Sequence, residues 1–122
     1  MATIKSFSDL QQSKKLAEIL PLETADMYYE CTKEEQEYKV YVGRNIAITY
    51  NLFSYRNGHT IPCWSLAALL DALPRIEGLK PVLDLDFNYV QYTSGINLSA
   101  TADNPIDACY EMILKLHELT LL

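Results

Sequence analysis

Apolar residues recur every third or fourth position in three segments of the chain, which is the spacing of one helix face. The first segment predicts a helix over about 9–20, since Pro21 ends its apolar pattern. Ser8 and Gln11 have the spacing of a capping box at the start of this helix. The first helix is therefore expected to begin just after Ser8.

Two further helices are predicted from the same spacing. The second is short and nearly all apolar, covers about 66–73 and is capped by Ser65. The third has the clearest start, because Asn104 is a favourable N-cap and Pro105 suits the first helical position. Its inner stripe is expected to comprise Ile106, Cys109, Ile113, Leu116 and Leu119.

Segments rich in β-branched and aromatic residues lie between these helices and predict strands. They cover 26–32, 37–42, 46–54, 82–87, 89–93 and 96–100, and Asn57-Gly58 adds a hairpin signal. Polar and apolar residues alternate over 37–42, as in an antiparallel sheet with one solvated face. The sequence thus predicts one α+β domain over 1–122, with a mainly antiparallel sheet of five or six strands and about three helices packed on one face.

Composition and charge narrow the class of protein. The 122 residues are 49% hydrophobic and carry a net charge of -6, which suits a globular domain and disfavours binding to duplex nucleic acid. No apolar run reaches the roughly 18 residues of a membrane span, and the N-terminus has no signal-peptide pattern. The three cysteines suggest no disulfide framework. We expect a cytoplasmic protein that does not associate with a membrane.

Four sequence segments carry a resemblance to a known group of proteins. They are QSKKL at 12–16, ETADMYY at 23–29, PCWSL at 62–66 and NPIDAC at 104–109. Together they resemble small uncharacterised proteins encoded by prophages and conjugative mobile elements of gut anaerobes. The resemblance implies a mobile-element origin and, since short phage accessory proteins often counter host defences, a counter-defence role in the host cytosol. The resemblance implies no catalytic residues.

Trp64 and Ser65 form the first candidate site. The backbone N–H groups at the start of a helix that Ser65 caps could bind an anion, and the sole tryptophan could stack on a base. The alternative is that Trp64 fills the core and Ser65 only caps the helix. The sequence leaves both interpretations open.

Tyrosines and cations could complete such a site. The chain has nine tyrosines, a residue type favoured at interfaces, and we select Tyr28 and Tyr92 as candidate ligand-binding residues. Arg56 and His59 flank the Asn57-Gly58 turn and could neutralise a phosphate. The alternatives are half-buried sheet tyrosines and scattered solubilising charges.

Catalysis has little support in the sequence. His59 and Cys63 are four residues apart, but Pro62 makes helical geometry between them unlikely, and the resemblance favours a small residue at position 63. Asp84 and Asp86 would share one strand face, where a solvated surface is commoner than acid–base or metal chemistry. No CxxC, HExxH, P-loop, GxGxxG or GxSxG pattern occurs. We expect no enzyme, cofactor or metal.

The sequence is compatible with two hypotheses for the function, one of ligand binding and one of protein–protein interaction. The first is sequestration of a small nucleotide-derived signal, which predicts a homo-oligomer because a small domain binds such a ligand best in a shared pocket. The alternative is a protein–protein interaction module that masks the surface of a host defence protein through exposed tyrosines and a sheet edge. An acidic mimic of DNA is a weaker third hypothesis, since the carboxylates are interspersed with lysines.

Overall fold

The structure, a computed structural model, describes residues 5–31, 37–43, 59–93 and 98–122. These residues form three α-helices, one 3-10 turn and six strands, so the α+β class is confirmed. In chain order they are α1 (Leu10–Ile19), the 3-10 turn (Leu22–Thr24), β1 (Met27–Cys31), β2 (Tyr38–Val42), β3 (Thr60–Cys63), α2 (Leu66–Ala72), β4 (Val82–Asp84), β5 (Tyr89–Tyr92), β6 (Leu98–Thr101) and α3 (Pro105–Glu118).

The described strands form two antiparallel sheets of three strands each, which corrects the expectation of one larger sheet. The first sheet has the order β2-β1-β3 and the second has the order β4-β5-β6. Because α2 and residues 73–81 carry the chain away from β3, β4 pairs with β5 through a hairpin instead of extending the first sheet. The predicted strand at 46–54 and the Asn57-Gly58 turn lie outside the described residues.

The capping box of α1 lies one residue later than the sequence suggests. Gln12 N donates to Asp9 Oδ1 at 2.8 Å, and Asp9 N donates to Gln12 Oε1 at 3.1 Å, so Asp9 is the N-cap. Ser8 is fully buried, and its Oγ lies 2.8 Å from Ser13 Oγ. The expected cap at Ser8 was wrong because its hydroxyl bonds inside the protein, and Gln11 is exposed.

β4 ends at Asp84, three residues before the predicted end at 87. Asp84 Oδ1 accepts hydrogen bonds from the backbone N–H groups of Asp86 at 2.9 Å and Phe87 at 3.4 Å. Asn88 then takes a left-handed backbone conformation, with φ 48°. The carboxylate thus replaces strand pairing with a four-residue turn, and Asp86 does not share a strand face with Asp84.

One apolar core joins α3 to α2, β5 and β6. Asn104 and Pro105 begin α3 as predicted, and the residues of the helix that are fully buried are Ile106, Ala108, Cys109, Met112, Ile113 and Leu116. Leu119 is 53% exposed, against expectation. The helix ends at Glu118, where Leu121 N donates to Leu116 O at 2.8 Å and turns the chain away.

Candidate functional site

Trp64 lies in the interior of the protein. Its side chain is fully buried in the same apolar cluster as α3, and its Nε1 donates to Thr24 Oγ1 at 2.9 Å. Both the ring faces and the indole N–H therefore have partners within the chain. This placement favours the core interpretation of Trp64, because a base would find no ring surface on which to stack.

Ser65 caps α2 as predicted, and Asp26 occupies the start of the same helix. Ser65 Oγ accepts from Ala68 N at 3.2 Å and donates to Asp26 Oδ2 at 2.5 Å. The Ser65 backbone N–H donates to Asp26 Oδ1 at 2.9 Å. The chain's own carboxylate thus binds beside the helix start where the sequence predicted an anion site, and its negative charge opposes an external anion.

Among the other predicted site residues, those that the structure describes do not converge with Trp64 in one pocket. Tyr92 belongs to the second sheet, is 1% exposed and donates through its hydroxyl to Pro74 O at 2.6 Å. Burial raises the pKa of Tyr92 to about 12. His59 is exposed immediately before β3, Tyr28 is in the first sheet, and Arg56 lies outside the described residues.

A buried polar cluster beside Trp64 was missed by sequence reasoning. Ser8 Oγ accepts from Trp64 N at 3.1 Å, and Ser8 O accepts from Tyr29 Oη at 2.8 Å and from Cys63 Sγ at 3.4 Å. Together with Ser13, these residues fix the segment before α1 to the first sheet. No sequence signal separates a buried serine from an exposed helix cap, so this arrangement is visible only in the structure.

The groups of this cluster are suited to stabilising the fold and not to reacting with a substrate. Burial raises the pKa of the Cys63 thiol, so that the thiol stays protonated at neutral pH. Burial also raises the pKa of Tyr29. His59 is exposed while Cys63 is fully buried. A thiol in this environment is a poor nucleophile.

Two clefts of the described surface differ in charge and polarity. One has a volume of about 430 Å³ and lies between β6 and α3, where Asp103, Asp107 and Glu111 outnumber Lys115. Lys115 Nζ donates to Ser99 O. The excess of negative charge in this cleft disfavours a phosphate-bearing ligand.

The second cleft is apolar, has a volume of about 530 Å³ and lies between α2 and β4. Ala67, Leu70, Pro81 and Leu83 provide its apolar lining. At its edge Lys80 Nζ donates to Asp71 O at 2.9 Å and Leu73 O at 2.5 Å, carbonyls at the C-terminal end of α2. The ammonium group therefore caps α2 and places a positive charge beside the cleft.

The large hydrophobic side chains that stay exposed occupy a few surfaces. Among the described residues they are Tyr41, Val42, Leu79, Val82, Leu85, Phe87, Leu119 and Leu121. Half of them fall within 79–87, around the β4–β5 hairpin. Tyr41 lies on β2 and stacks on Tyr28 of β1, with ring centroids 5.3 Å apart and an interplanar angle of 19°. We call Tyr28 and Tyr41 the tyrosine platform.

The described ranges contain no cluster of three or more His, Cys, Asp or Glu side chains placed to hold a metal ion. Cys31, Cys63 and Cys109, which all lie in these ranges, form no disulfide. Within the same ranges, no helix combines the length and apolar character needed to cross a membrane.

Comparison of the chain with protein families, with curated proteins and with solved structures finds no match. The fold defines a small α+β protein, in which the described residues form two three-stranded sheets. The resemblance to proteins of mobile elements stays a prediction.

Proposed function

We propose that this protein is a non-enzymatic interaction protein that binds and masks a surface of another protein. If the chain comes from a mobile element, the partner is a host defence protein. The tyrosine platform is the observation that carries the proposal. Tyr28 and Tyr41 are direct cross-strand partners in the β1–β2 pairing, and Tyr41 is 40% exposed.

The platform is held rigidly by the sheet. Adjacent strand residues point to opposite faces, so Tyr29 lies on the other face, where its hydroxyl bonds Ser8 and its ring contacts Phe7. A stacked pair loses little conformational entropy on binding because its side chains are already ordered. Tyrosine also combines a large apolar contact with a polar tip, which explains its enrichment at interfaces.

Polar residues adjoin the platform on the same face. Glu30 and Lys39 are the next partners two residues along β1 and β2, and they carry opposite charges. An aromatic centre with a charged rim is the usual anatomy of a protein–protein interface. The β1–β2 part of this face therefore has the composition expected of a surface that binds a partner protein, whereas Thr60 and Pro62 of β3 on the same face are buried.

Sequestration of a nucleotide-derived signal has weaker support. Its proposed base-stacking residue, Trp64, is buried, and its proposed anion site at Ser65 holds the Asp26 carboxylate. Neither feature offers a ligand a vacant position. We therefore prefer the interaction protein and make nucleotide binding a competing outcome of the test.

The test is capture of partners by the tagged protein from a lysate of the host bacterium, with wild type compared with Tyr41→Arg. We expect a defined protein that wild type binds at least about tenfold more strongly than the variant, because a central aromatic residue commonly contributes more than 1.4 kcal/mol. Val42→Ser is the matched control, since Val42 is 85% exposed on the same strand but points to the opposite face.

Thermal unfolding of all three proteins against cyclic dinucleotides, cyclic trinucleotides and ADP-ribose isomers provides the competing arm. A ligand that binds only the folded state raises the melting temperature. A rise with one nucleotide that is equal in wild type and Tyr41→Arg, together with capture that Tyr41→Arg leaves unchanged, would overturn the proposal in favour of sequestration.

A further inference from the structure

The two charged residues beside the tyrosine platform differ in whether they already have a partner. Lys39 has an interaction within the chain. Glu30 is half-buried, and the ion pairs and side-chain hydrogen bonds of the described residues do not include its carboxylate. A carboxylate that is partly removed from water gains most from a cationic partner. The negative charge of Glu30 is therefore available to a cation from another molecule.

The register of the first sheet places Glu30 diagonally across from Tyr41. Tyr28 pairs with Tyr41 and Glu30 pairs with Lys39, so Glu30 and Tyr41 share a face at the roughly 7–8 Å spacing of diagonal neighbours. Tyr28 stacks on one face of the Tyr41 ring, so the exposed surface of Tyr41 lies on the other face and the ring edge. Long side chains span this spacing, and one group can contact both the ring and the carboxylate.

We propose that the partner protein presents an arginine to this position, with its guanidinium stacked on the exposed face of Tyr41 and donating to the Glu30 carboxylate. The inference rests on the proposed function, since it names the chemistry that the platform binds. The face of a tyrosine ring carries partial negative charge and attracts cations. A guanidinium is planar and has five N–H donors, so it stacks and donates at the same time, which an ammonium does less well.

Two further observations favour a cation over an anion. Lys14 Nζ lies 5.8 Å from the ring centroid of Tyr38, which is on the opposite face of β2, so the chain itself places a cation on a tyrosine of this strand. Among the described residues, no such cation lies over Tyr28 or Tyr41. The net charge of -6 also favours encounter with a basic surface over encounter with an acidic one.

The test is a titration of the isotopically labelled full chain with N-acetyl-arginine methylamide, followed by the backbone amide and tyrosine ring resonances in NMR spectra. The citrulline counterpart has nearly the same shape without the charge, and the glutamate counterpart tests an anion that binds Lys39 instead. We expect the arginine derivative to shift the resonances of Glu30 and Tyr41, and the other two to leave them unchanged. Tyr41→Phe keeps the ring and should bind like wild type.

Glu30→Gln removes the charge of the side chain and keeps its shape. The dissociation constant for the arginine derivative should rise about threefold, as for the loss of an exposed ion pair. Glu118→Gln is the matched control, because it removes the same charge from an exposed position of α3 and should leave the constant unchanged. The amide spectrum of each variant shows whether it is folded.

Three results would overturn the inference. The first is an arginine derivative that shifts neither resonance up to its solubility limit. The second is a citrulline or glutamate derivative that shifts them equally. The third is a dissociation constant that is the same in Glu30→Gln and Glu118→Gln.

The captured partner separates this inference from the proposed function. If both are correct, Glu30→Gln should weaken binding of that partner about tenfold or more, because the ion pair is then shielded from water. A partner that depends on Tyr41 but binds Glu30→Gln as tightly as wild type would support the interaction protein and overturn the arginine contact. If no partner is captured but the arginine derivative binds at Glu30 and Tyr41, the proposed function fails and the guanidinium site stands.

Discussion

The two sheets formed by the described residues are held in place by different kinds of interaction. The second sheet packs with α2 and α3 in one apolar cluster that includes Val90, Tyr92 and Ile113. The first sheet joins α1 through the hydrogen bonds of Ser8 and Ser13. Trp64, which follows β3 directly, connects the two regions because it belongs to the apolar cluster and also bonds Ser8 through its backbone.

This difference determines how each region should respond to change. Apolar burial is non-directional and contributes about 1.5–3 kcal/mol for each fully buried large side chain. A buried hydrogen-bond cluster adds little net free energy, but each group left without a partner costs about 1–3 kcal/mol. The second region should therefore tolerate reshaping that conserves volume, whereas the first should depend on particular donors and acceptors.

Replacing the residue that connects the regions should have the largest effect. Trp64→Ala removes a fully buried indole and should lower the free energy of unfolding by about 3–5 kcal/mol. Urea denaturation followed by circular dichroism measures this loss. Trp64→Phe, which keeps a ring but loses the bond to Thr24, should cost less. A folded Trp64→Ala protein of nearly wild-type stability would show that the two regions are not joined through this side chain.

The same substitution in each region tests the comparison directly. Ile113 of α3 is fully buried within the apolar cluster, whereas Ile61 of β3 is 4% exposed and lies outside that cluster. Ile113→Ala should cost about 3–4 kcal/mol and Ile61→Ala about 2 kcal/mol, at the low end of the usual range. Equal losses in urea denaturation would contradict the division into an apolar and a polar region.

The features that the sequence predicts correctly are those set by contacts between neighbouring residues. The start of α3 was predicted correctly because Asn104 and Pro105 act within one helical turn. The role of Ser65 as the N-cap of α2 was predicted for the same reason. Both depend on neighbours in the sequence and are visible in it.

Features that depend on distant contacts were not predicted. Ser8 is a plausible cap by spacing, and only its contact with Ser13 and Trp64 shows that it is buried. The division into two sheets depends on which strand edges meet. The tyrosine platform depends on the register that sets Tyr28 opposite Tyr41, and register is not encoded by composition. Trp64 was named as a candidate ligand-binding residue, but a core role was equally compatible with the sequence.

Removing one hydroxyl should test the polar region next. Ser8→Ala leaves the Trp64 backbone N–H without its buried acceptor and removes one of two partners of the Ser13 hydroxyl, which keeps Ser8 O at 3.4 Å. The variant should therefore cost about 2 kcal/mol. Ser13→Ala should lower the free energy of unfolding by less, because the backbone N–H of Trp64 still donates to Ser8 Oγ. A double-variant cycle measured by urea denaturation should show strong non-additivity. Additive losses would indicate that the two serines do not act as one cluster.

The smallest effect is expected at a polar contact between α3 and the N-terminal region, where it should depend on pH. Lys5 Nζ lies 2.9 Å from Asp107 Oδ1, and Gln12 Nε2 donates to the same oxygen at 2.7 Å. Burial acts to raise the pKa of Asp107, but the hydrogen bonds from Lys5, Gln12 and Asn104 outweigh it and hold that pKa below its usual value of 3.8.

Because the pKa of Asp107 is lower in the folded state, its contribution to stability is complete above about pH 4 and is lost as the pH falls toward the folded pKa. Asp107→Asn should therefore lower the free energy of unfolding by about 1 kcal/mol at pH 7. The difference from wild type should shrink between pH 4 and pH 2, as thermal unfolding at a series of pH values would show. Lys5→Met should reproduce the loss at pH 7, since it removes the ammonium and keeps the aliphatic chain. A difference that persists undiminished at pH 2 would mean that the carboxylate stabilises α3 by its shape and not by its charge, and the ionic contact between the regions would then contribute nothing to the fold.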